Sequence, residues 1–404
     1  MFGLNKEANI DTDSHKIDEL LARGTEEIFI KEHLREALLS GKQLRVKLGI
    51  DPTGPAIHLG RAIPLRKLKA FQDLGHKVVL IVGDFTAKIA DPSDKLEKRP
   101  MLTDEQIKEN LKDYLKQIGK VIDLSKTEIH YNSEWQNKMN SLELSELLEC
   151  FSVQQMTRRR NFKERLEQGQ DISVVELIYP ALQGYDSVKV KADVEIGGFD
   201  QLFNLKAGRT VQKKYGQKEQ DIMTLSMLLG TDGRKMSSSW GNVISLLDSS
   251  DDMFGKIMSI QDNLIIQYFT LCTDITAEEI SSIENELSSG TNPKNIKLRL
   301  AREIVKIYHG EEKAQEAEEN FENTFVKGGV PEDIVEVTVA SEVKLIDVLI
   351  AEQIVVSKSE FRRLVSEGAI TNMGTSEKVI DSETKVFSGV YKIGKRRFIK
   401  INVL

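Results

Sequence analysis

The chain has 404 residues, 40% of them hydrophobic and 29% charged, with a net charge of −7. That length exceeds one compact core and predicts two or three domains, while the balance excludes wholesale disorder. The acidic total excludes a protein that coats nucleic acid over its whole surface, and no apolar run approaches the roughly 20 residues needed to cross a bilayer, so no membrane contact is expected.

The opening residues, MFGLNKEANIDTDSHK, lack the short apolar core of a signal peptide. Cys150 and Cys272 offer no disulfide framework, and a cytoplasmic setting is expected. Residues 15–39 read as helical, broken at Gly24. RVKLGI (45–50) reads as a short strand, followed by the turn-rich DPTGPAI. Over 58–74 the apolar residues Ala62, Leu65, Leu68, Phe71 and Leu74 share one helical face, with Gly75 as the stop. VVLIV (78–82) is the continuous apolar run of a strand buried on both faces. Strand, helix and strand at this spacing predict a parallel βαβ unit of an α/β sheet, with ligands beyond the carboxyl ends of its strands. Residues 104–118 and 141–168 read as charged helices, and 251–325 as mostly helical. VKGGVPED (326–333) reads as a linker. Residues 343–404 hold eleven Lys/Arg against seven Asp/Glu, a local +4 that leaves −11 on the remainder. A compact basic module of a helix pair and short strands, suited to a localised polyanion, is expected there.

Four motifs carry candidate chemistry, and each also has a plainer reading. In DPTGPAIHLGR the glycines allow close backbone approach, and His58 opens a helix whose free N–H groups suit a phosphate; the same pattern makes an ordinary strand–helix turn. In YPALQGYD, Tyr179, Gln183 and Asp186 share one face if the stretch is helical, either around a small zwitterion or simply toward solvent. EIGGFDQ reads as a turn or as part of the same site. RKMSSSWGN has the small residues of a linker, but linkers rarely carry Met236 and Trp240. Lys235 with Ser237–Ser239 would neutralise charge developing on a pyrophosphate.

Taken together and in order, these stretches resemble a class I aminoacyl-tRNA synthetase, and bacterial tyrosyl-tRNA synthetases most of all. His58-Leu59-Gly60-Arg61 resembles the first class signature, and Lys235-Met236-Ser237-Ser238-Ser239 the second. GDFTAKIADPSDK, YPALQGYDS and VEIGGFDQLFNL are similar to further family stretches. KLIDVLIAEQIVVSKSEFRRLVSEGAI resembles the S4-type RNA-binding module.

The resemblance implies a Rossmann-like parallel-sheet catalytic domain over 1–230 with a helical insertion at about 93–190. A mobile KMSSS loop and an α-helical anticodon-recognition domain would follow over 231–328, then a linker (329–341) and a small α+β S4-like domain (342–404). It implies ATP as a substrate with accompanying Mg²⁺ but no resident metal, tRNA and tyrosine as partners, and a homodimer. Implied catalytic residues are His58, Lys235, Ser237 and Ser238. Asp51, Thr53, His58, Gly60, Arg61, Gly198, Asp200, Lys235 and Met236 would meet ATP. Lys47, Gly49, Asp51, Asp91, Tyr179, Gln183, Asp186 and Gln201 would surround the amino acid, with Asp186 accepting its phenol. Lys95 and Arg99 would approach pyrophosphate or the tRNA end, or form a solvated loop. RRRNFKERL (158–166) would lie at the dimer seam or be an exposed basic helix.

Arg362, Arg363, Lys395, Arg396 and Arg397, interleaved with Phe361 and Phe398, would contact RNA. Three departures from the family pattern stand out: Arg61 replaces a histidine, Lys47 a phenol-binding tyrosine, and Ser238 the loop's second lysine. A tryptophanyl enzyme and a non-catalytic RNA-binding protein are the alternative readings.

Overall fold

The computed structural model describes residues 9–89, 91, 101–326, 334–375, 377–394 and 397–404. The expected βαβ unit forms from strands β2 (Arg45–Ile50) and β3 (Lys77–Val82), which pair in parallel across the Leu59–Asp73 helix. That helix forms where predicted because its apolar residues recur every three to four positions. Ala62, Leu65, Leu68, Phe71 and Leu74 are all buried. It stops at Gly75, whose φ of 91° is left-handed and which packs so closely on the Asn9 carbonyl that a Cβ would collide.

The sheet is completed by β1 (Thr25–Phe29), β4 (Glu128–Tyr131), β5 (Val194–Gly198) and β6 (Asp221–Leu225), in the order β1-β6-β5-β2-β3-β4. All neighbours are parallel except β1, which pairs antiparallel with β6. Chain order runs outward from β2 to β3 and β4, then returns to β5 on the other side. The crevice at the carboxyl ends of β2 and β5 is therefore the topological switch point, where ligands bind in open α/β sheets.

Three expectations are corrected. Residues 25–29 lie within the predicted 15–39 helix but form β1, because TEEIF follows the positive-φ Gly24 and finds the free edge of β6. The insertion after β3 is not purely helical, since β4 joins the sheet and the expected long helices are short separate pieces such as Asp104–Leu111, Ser141–Leu148 and Arg160–Glu167. Residues 335–339, expected within the linker, form β7, paired in parallel with β11 (Arg397–Val403).

The longest helix flanking the crevice, Val174–Val190, packs on Leu202–Lys214 at Gly184. A Cβ on Gly184 would come within 2.8 Å of Val211 Cγ2, so glycine sets this close approach. One continuous apolar core runs from the sheet into the helices of residues 250–321, and ends at Ala317. Arg23 strengthens that join, donating to the carbonyls of Phe269, Thr270, Thr273 and Ile275. β7 and β11, with β8 (Ile370–Asn372), β9 (Glu377–Lys378) and β10 (Gly389–Ile393), form a second sheet over a separate core, on which the Leu345–Ala351 and Lys358–Ser366 helices pack. Among the described residues no helix is long and apolar enough to cross a membrane.

Phe71 is fully buried where the Leu59–Asp73 helix meets the sheet. Phe71→Ala is expected to cost about 3–5 kcal/mol, read as a lowered urea midpoint with an unchanged slope.

Candidate active site

The crevice at the switch point gathers most of the predicted residues. Asp51 follows β2 directly; its carboxylate accepts from Thr86 Oγ1 at 2.7 Å and from the Tyr179 hydroxyl at 2.9 Å. Burial, with Asp91 and Asp186 nearby, raises its carboxyl to about 7. Asp91 accepts from Gln201 Nε2 at 2.6 Å and Asn204 Nδ2 at 3.3 Å. Burial drives the Tyr179 phenol well above its ordinary range, and the three surrounding carboxylates push it the same way. Asp51, Asp91 and Asp186 thus enclose Tyr179 in a negative field, which suits a bound ammonium.

Asp186 is 3% exposed. Its Oδ1 accepts from Trp135 Nε1 at 2.7 Å and Gln136 Nε2 at 3.1 Å, and its Oδ2 from Asn132 Nδ2 at 3.3 Å. A carboxylate accepts about four hydrogen bonds, so Oδ2 retains room for one more donor. Burial raises its carboxyl to about 6, against the opposing pull of the Lys47 charge. Gly49 looks onto open space, with nothing within 4 Å of where a Cβ would stand.

Lys47 departs from its expected role. It is fully buried, and Nζ spends its three donors within the protein, on Glu195 (2.9 Å), the Gln183 carbonyl (3.0 Å) and Ser187 Oγ (2.8 Å). No donor remains for a substrate phenol.

The two class signatures meet on the other side. His58 caps the Leu59–Asp73 helix rather than lying inside it, and Gly60 N donates to Met236 Sδ at 3.4 Å. His58 is buried with Nδ1 unsatisfied, and burial with the Arg61 and Lys235 charges lowers it to about 3. The imidazole is therefore neutral near pH 7, able to donate a hydrogen bond but not to act as a cation. Arg61 donates to Thr53 Oγ1 at 2.7 Å. Lys235 Nζ lies 3.0 Å from Asp200, whose side chain occupies the space a Cβ on Gly198 would need.

RKMSSSWGN is a docked loop and not a free linker. Met236 is buried and its N–H donates to Leu228 O. Asn242 accepts from Ser237 N at 2.8 Å and donates to Asp232 at 2.7 Å and to Lys235 O at 3.1 Å. Ser238 is exposed.

Several site residues escaped the reading of the sequence: Thr86, Asn132, Trp135, Gln136, Glu195, Asn204 and Asn242. Most lie outside the family-like stretches or between their conspicuous residues, and only tertiary contacts reveal them. Gly83 belongs with them, because a Cβ there would collide with Asp51 Oδ1 and Thr86 Oγ1. Two basic expectations hold only in part. In RRRNFKERL, Arg159 is buried over the Phe162 and Phe203 rings and Arg165 is buried and paired with Glu176 at 2.6 Å, while Arg158, Arg160 and Lys163 are exposed, so the basic face of this stretch is narrower than its sequence suggests. In the C-terminal module Phe361 and Phe398 are buried in packing, and Arg397 donates to Glu360 and the Ile354 carbonyl. Arg362 and Arg363 are exposed, the latter paired with Glu367 at 2.9 Å. Lys95, Arg99, Lys395 and Arg396 lie outside the described residues.

Residues 39–326 match the family model of class I tRNA synthetases for tryptophan and tyrosine (W and Y). The chain belongs to this family. A tyrosine–tRNA ligase of Dehalococcoides mccartyi is 46% identical over 391 residues, covering 96% of this chain and 98% of that protein. One from Thermotoga maritima is 43% identical, covering 95% and 96%. The fold is shared with a C-terminally truncated mitochondrial tyrosyl-tRNA synthetase of Aspergillus nidulans (TM-score 0.64, 22% identity, 77% of this chain and 94% of that one). Plasmodium falciparum tryptophanyl-tRNA synthetase shares it too, with a TM-score of 0.57 and 16% identity over 76% of this chain and 88% of that one.

Gly83→Ala is expected to displace Asp51 from Thr86 and Tyr179. In a family enzyme that should raise the KM for the amino acid about tenfold or more with little change in melting temperature, checked by steady-state kinetics beside thermal unfolding.

Proposed function

We propose that this chain activates L-tyrosine with ATP to tyrosyl-adenylate and pyrophosphate, then transfers the tyrosyl group to the 3′ end of its tRNA. The observation that carries the choice of tyrosine is Asp186, a buried carboxylate with one acceptor position left on Oδ2. A phenol hydroxyl fills that position. Phenylalanine leaves it empty in a desolvated site, which disfavours binding; the handling of hydroxyl groups in tyrosyl-tRNA synthetases is a standard example of such rejection.

Asp91, Tyr179 and Gln183 receive the substrate ammonium in the negative field, and the substrate carboxylate attacks the α-phosphorus of ATP. The P–O bond to pyrophosphate breaks as the new bond forms, so binding in line and fixed donors supply most of the catalysis. Neutral His58 and the N-terminus of the Leu59–Asp73 helix donate to phosphate. Arg61 and Lys235 supply positive charge, and Lys235 exchanges Asp200 for the leaving pyrophosphate. Asp200 and Gly198 receive the ribose, and Mg²⁺ enters with the ATP phosphates. Arg362 and Arg363 offer charge to the RNA. A homodimer is supported by the apolar side chains of Leu142, Val153 and Val174, each 68–72% exposed. The free cysteines Cys150 and Cys272 support a cytoplasmic setting.

Amino-acid-dependent ATP–pyrophosphate exchange tests the assignment: tyrosine should stimulate it. Stimulation by tryptophan alone, or silence with both, overturns it. Because burial raises Asp186 to about 6 and Asp51 to about 7, both are carboxylates above those values and lose their acceptor role as pH falls. The coupled pair should give kcat/KM for tyrosine an acid limb over about pH 6–7. In Asp186→Asn one step should vanish and the Asp51 step should move down, since the Asp186 charge helps raise it; an unchanged limb would exclude Asp186. With Ser238 exposed and a single lysine in the loop, Ser238→Lys should lower the Mg²⁺ concentration needed for half-maximal exchange, and identical titrations would remove that role.

A further inference from the structure

Glu195, on β5, lies outside every site residue read from the family pattern, yet it is 1% exposed at the wall of the crevice. Its two oxygens carry four contacts. Oε1 meets Lys47 Nζ at 2.9 Å and Gln183 Nε2 at 3.1 Å; Oε2 accepts from Ser187 Oγ at 3.1 Å and from Gln220 Nε2. Gly208 makes room for the cluster, since a Cβ there would collide with the Gln220 amide and stand 3.0 Å from both Glu195 Oε2 and Ser187 Oγ. Lys47 adds a backbone hold on the same helical turn, through the Gln183 carbonyl and the Ser187 hydroxyl.

An amide side chain has a donor end and an acceptor end, and a substrate ammonium can use only the acceptor. A carboxylate accepts and never donates, so Glu195 takes the NH₂ end of Gln183 and leaves Oε1 for a ligand. We propose that Glu195, paired with Lys47, is a positioning residue that sets the orientation of the Gln183 amide so that its carbonyl oxygen receives the ammonium of the amino acid. Lys47 then serves amino-acid recognition indirectly, by compensating Glu195 and clamping the 183–187 turn, without touching the phenol. This rests on the assignment of Gln183 to the ammonium made above.

The test compares tyrosine with 3-(4-hydroxyphenyl)propionate, which keeps the phenol and carboxylate but lacks the ammonium. In pyrophosphate exchange, Glu195→Gln lets the residue 195 side chain donate as well as accept, which frees Gln183 to turn over. The KM for tyrosine should rise about tenfold, the size expected for one lost hydrogen bond to a charged group. The KM for ATP and the inhibition constant of the propionate should stay within about twofold. Lys47→Met/Glu195→Gln strands no buried charge and should show the same selective loss, so it carries the test if Glu195→Gln does not fold; thermal melting reports folding for each. A parallel weakening of both ligands, or no change in either, overturns the proposal and leaves Glu195 a structural residue only. Gln183→Ala separates the two levels. With Asp91 and Tyr179 still holding the ammonium, it should cut the preference for tyrosine over the propionate about tenfold, the size of one lost hydrogen bond to a charged group; if the preference is unchanged, the assignment of Gln183 fails and the proposal with it. If it does and the Glu195 variants do not, the proposal alone fails.

Discussion

Keeping the Asp51, Asp91 and Asp186 carboxylates close together in a crevice largely shielded from bulk water, with Asp186 buried and the other two partly so, is the constraint that the rest of the site answers to. Buried carboxylates are costly unless donors reach them, and here the donors come from every element around the crevice. Thr86 follows β3, Tyr179 stands on the Val174–Val190 helix, and Gln201 and Asn204 sit where the Leu202–Lys214 helix begins. Asn132, Trp135 and Gln136 follow β4. Asn132 also donates to Thr86 Oγ1 at 3.0 Å, so the Asp51 and Asp186 subsites share one network. The raised carboxyl values of Asp51 and Asp186 show that the donors do not fully offset desolvation, which leaves the pocket receptive to a cation and to a further hydroxyl donor.

Opposite this acidic side stands a cationic one, and sheet topology sets the separation. β2 leads into the turn that ends at His58 and Arg61, while β5 leads into Gly198 and Asp200, to which the signature loop brings Lys235. The loop is held by backbone and Asn242 contacts, and its methionine covers the first turn of the Leu59–Asp73 helix. Phosphate entering here would meet a neutral donor in His58 and positive charge from Arg61 and Lys235, an arrangement fitted to charge that develops on a leaving group.

Lys47 shows how one side chain can mislead when read alone. Its position, where the family pattern has a phenol-binding tyrosine, places it beside the amino acid. Its actual partners, Glu195, Gln183 and Ser187, come from two other elements. Arg159, Arg165 and Arg397 repeat the lesson: basic residues in a run look solvated, but aromatic faces and carboxylates elsewhere in the chain draw them inward.

The sequence by itself determined the local and the periodic. β2, β3 and the helix between them were legible because apolar spacing within a few residues encodes them, and the two signatures because their residues are contiguous. The face of Tyr179, Gln183 and Asp186 followed from helical geometry once the helix was granted. Only the tertiary structure decided what depends on residues far apart in the chain. Residues 25–29 became a strand because β6, about two hundred positions later, offered an edge. Residues 335–339 joined a sheet completed only by the last residues of the chain. Asn132, Trp135, Gln136 and Glu195 gained their places because a buried charge accepts whatever donors or counter-charges the packing brings within reach, and no spacing along the sequence records that distance.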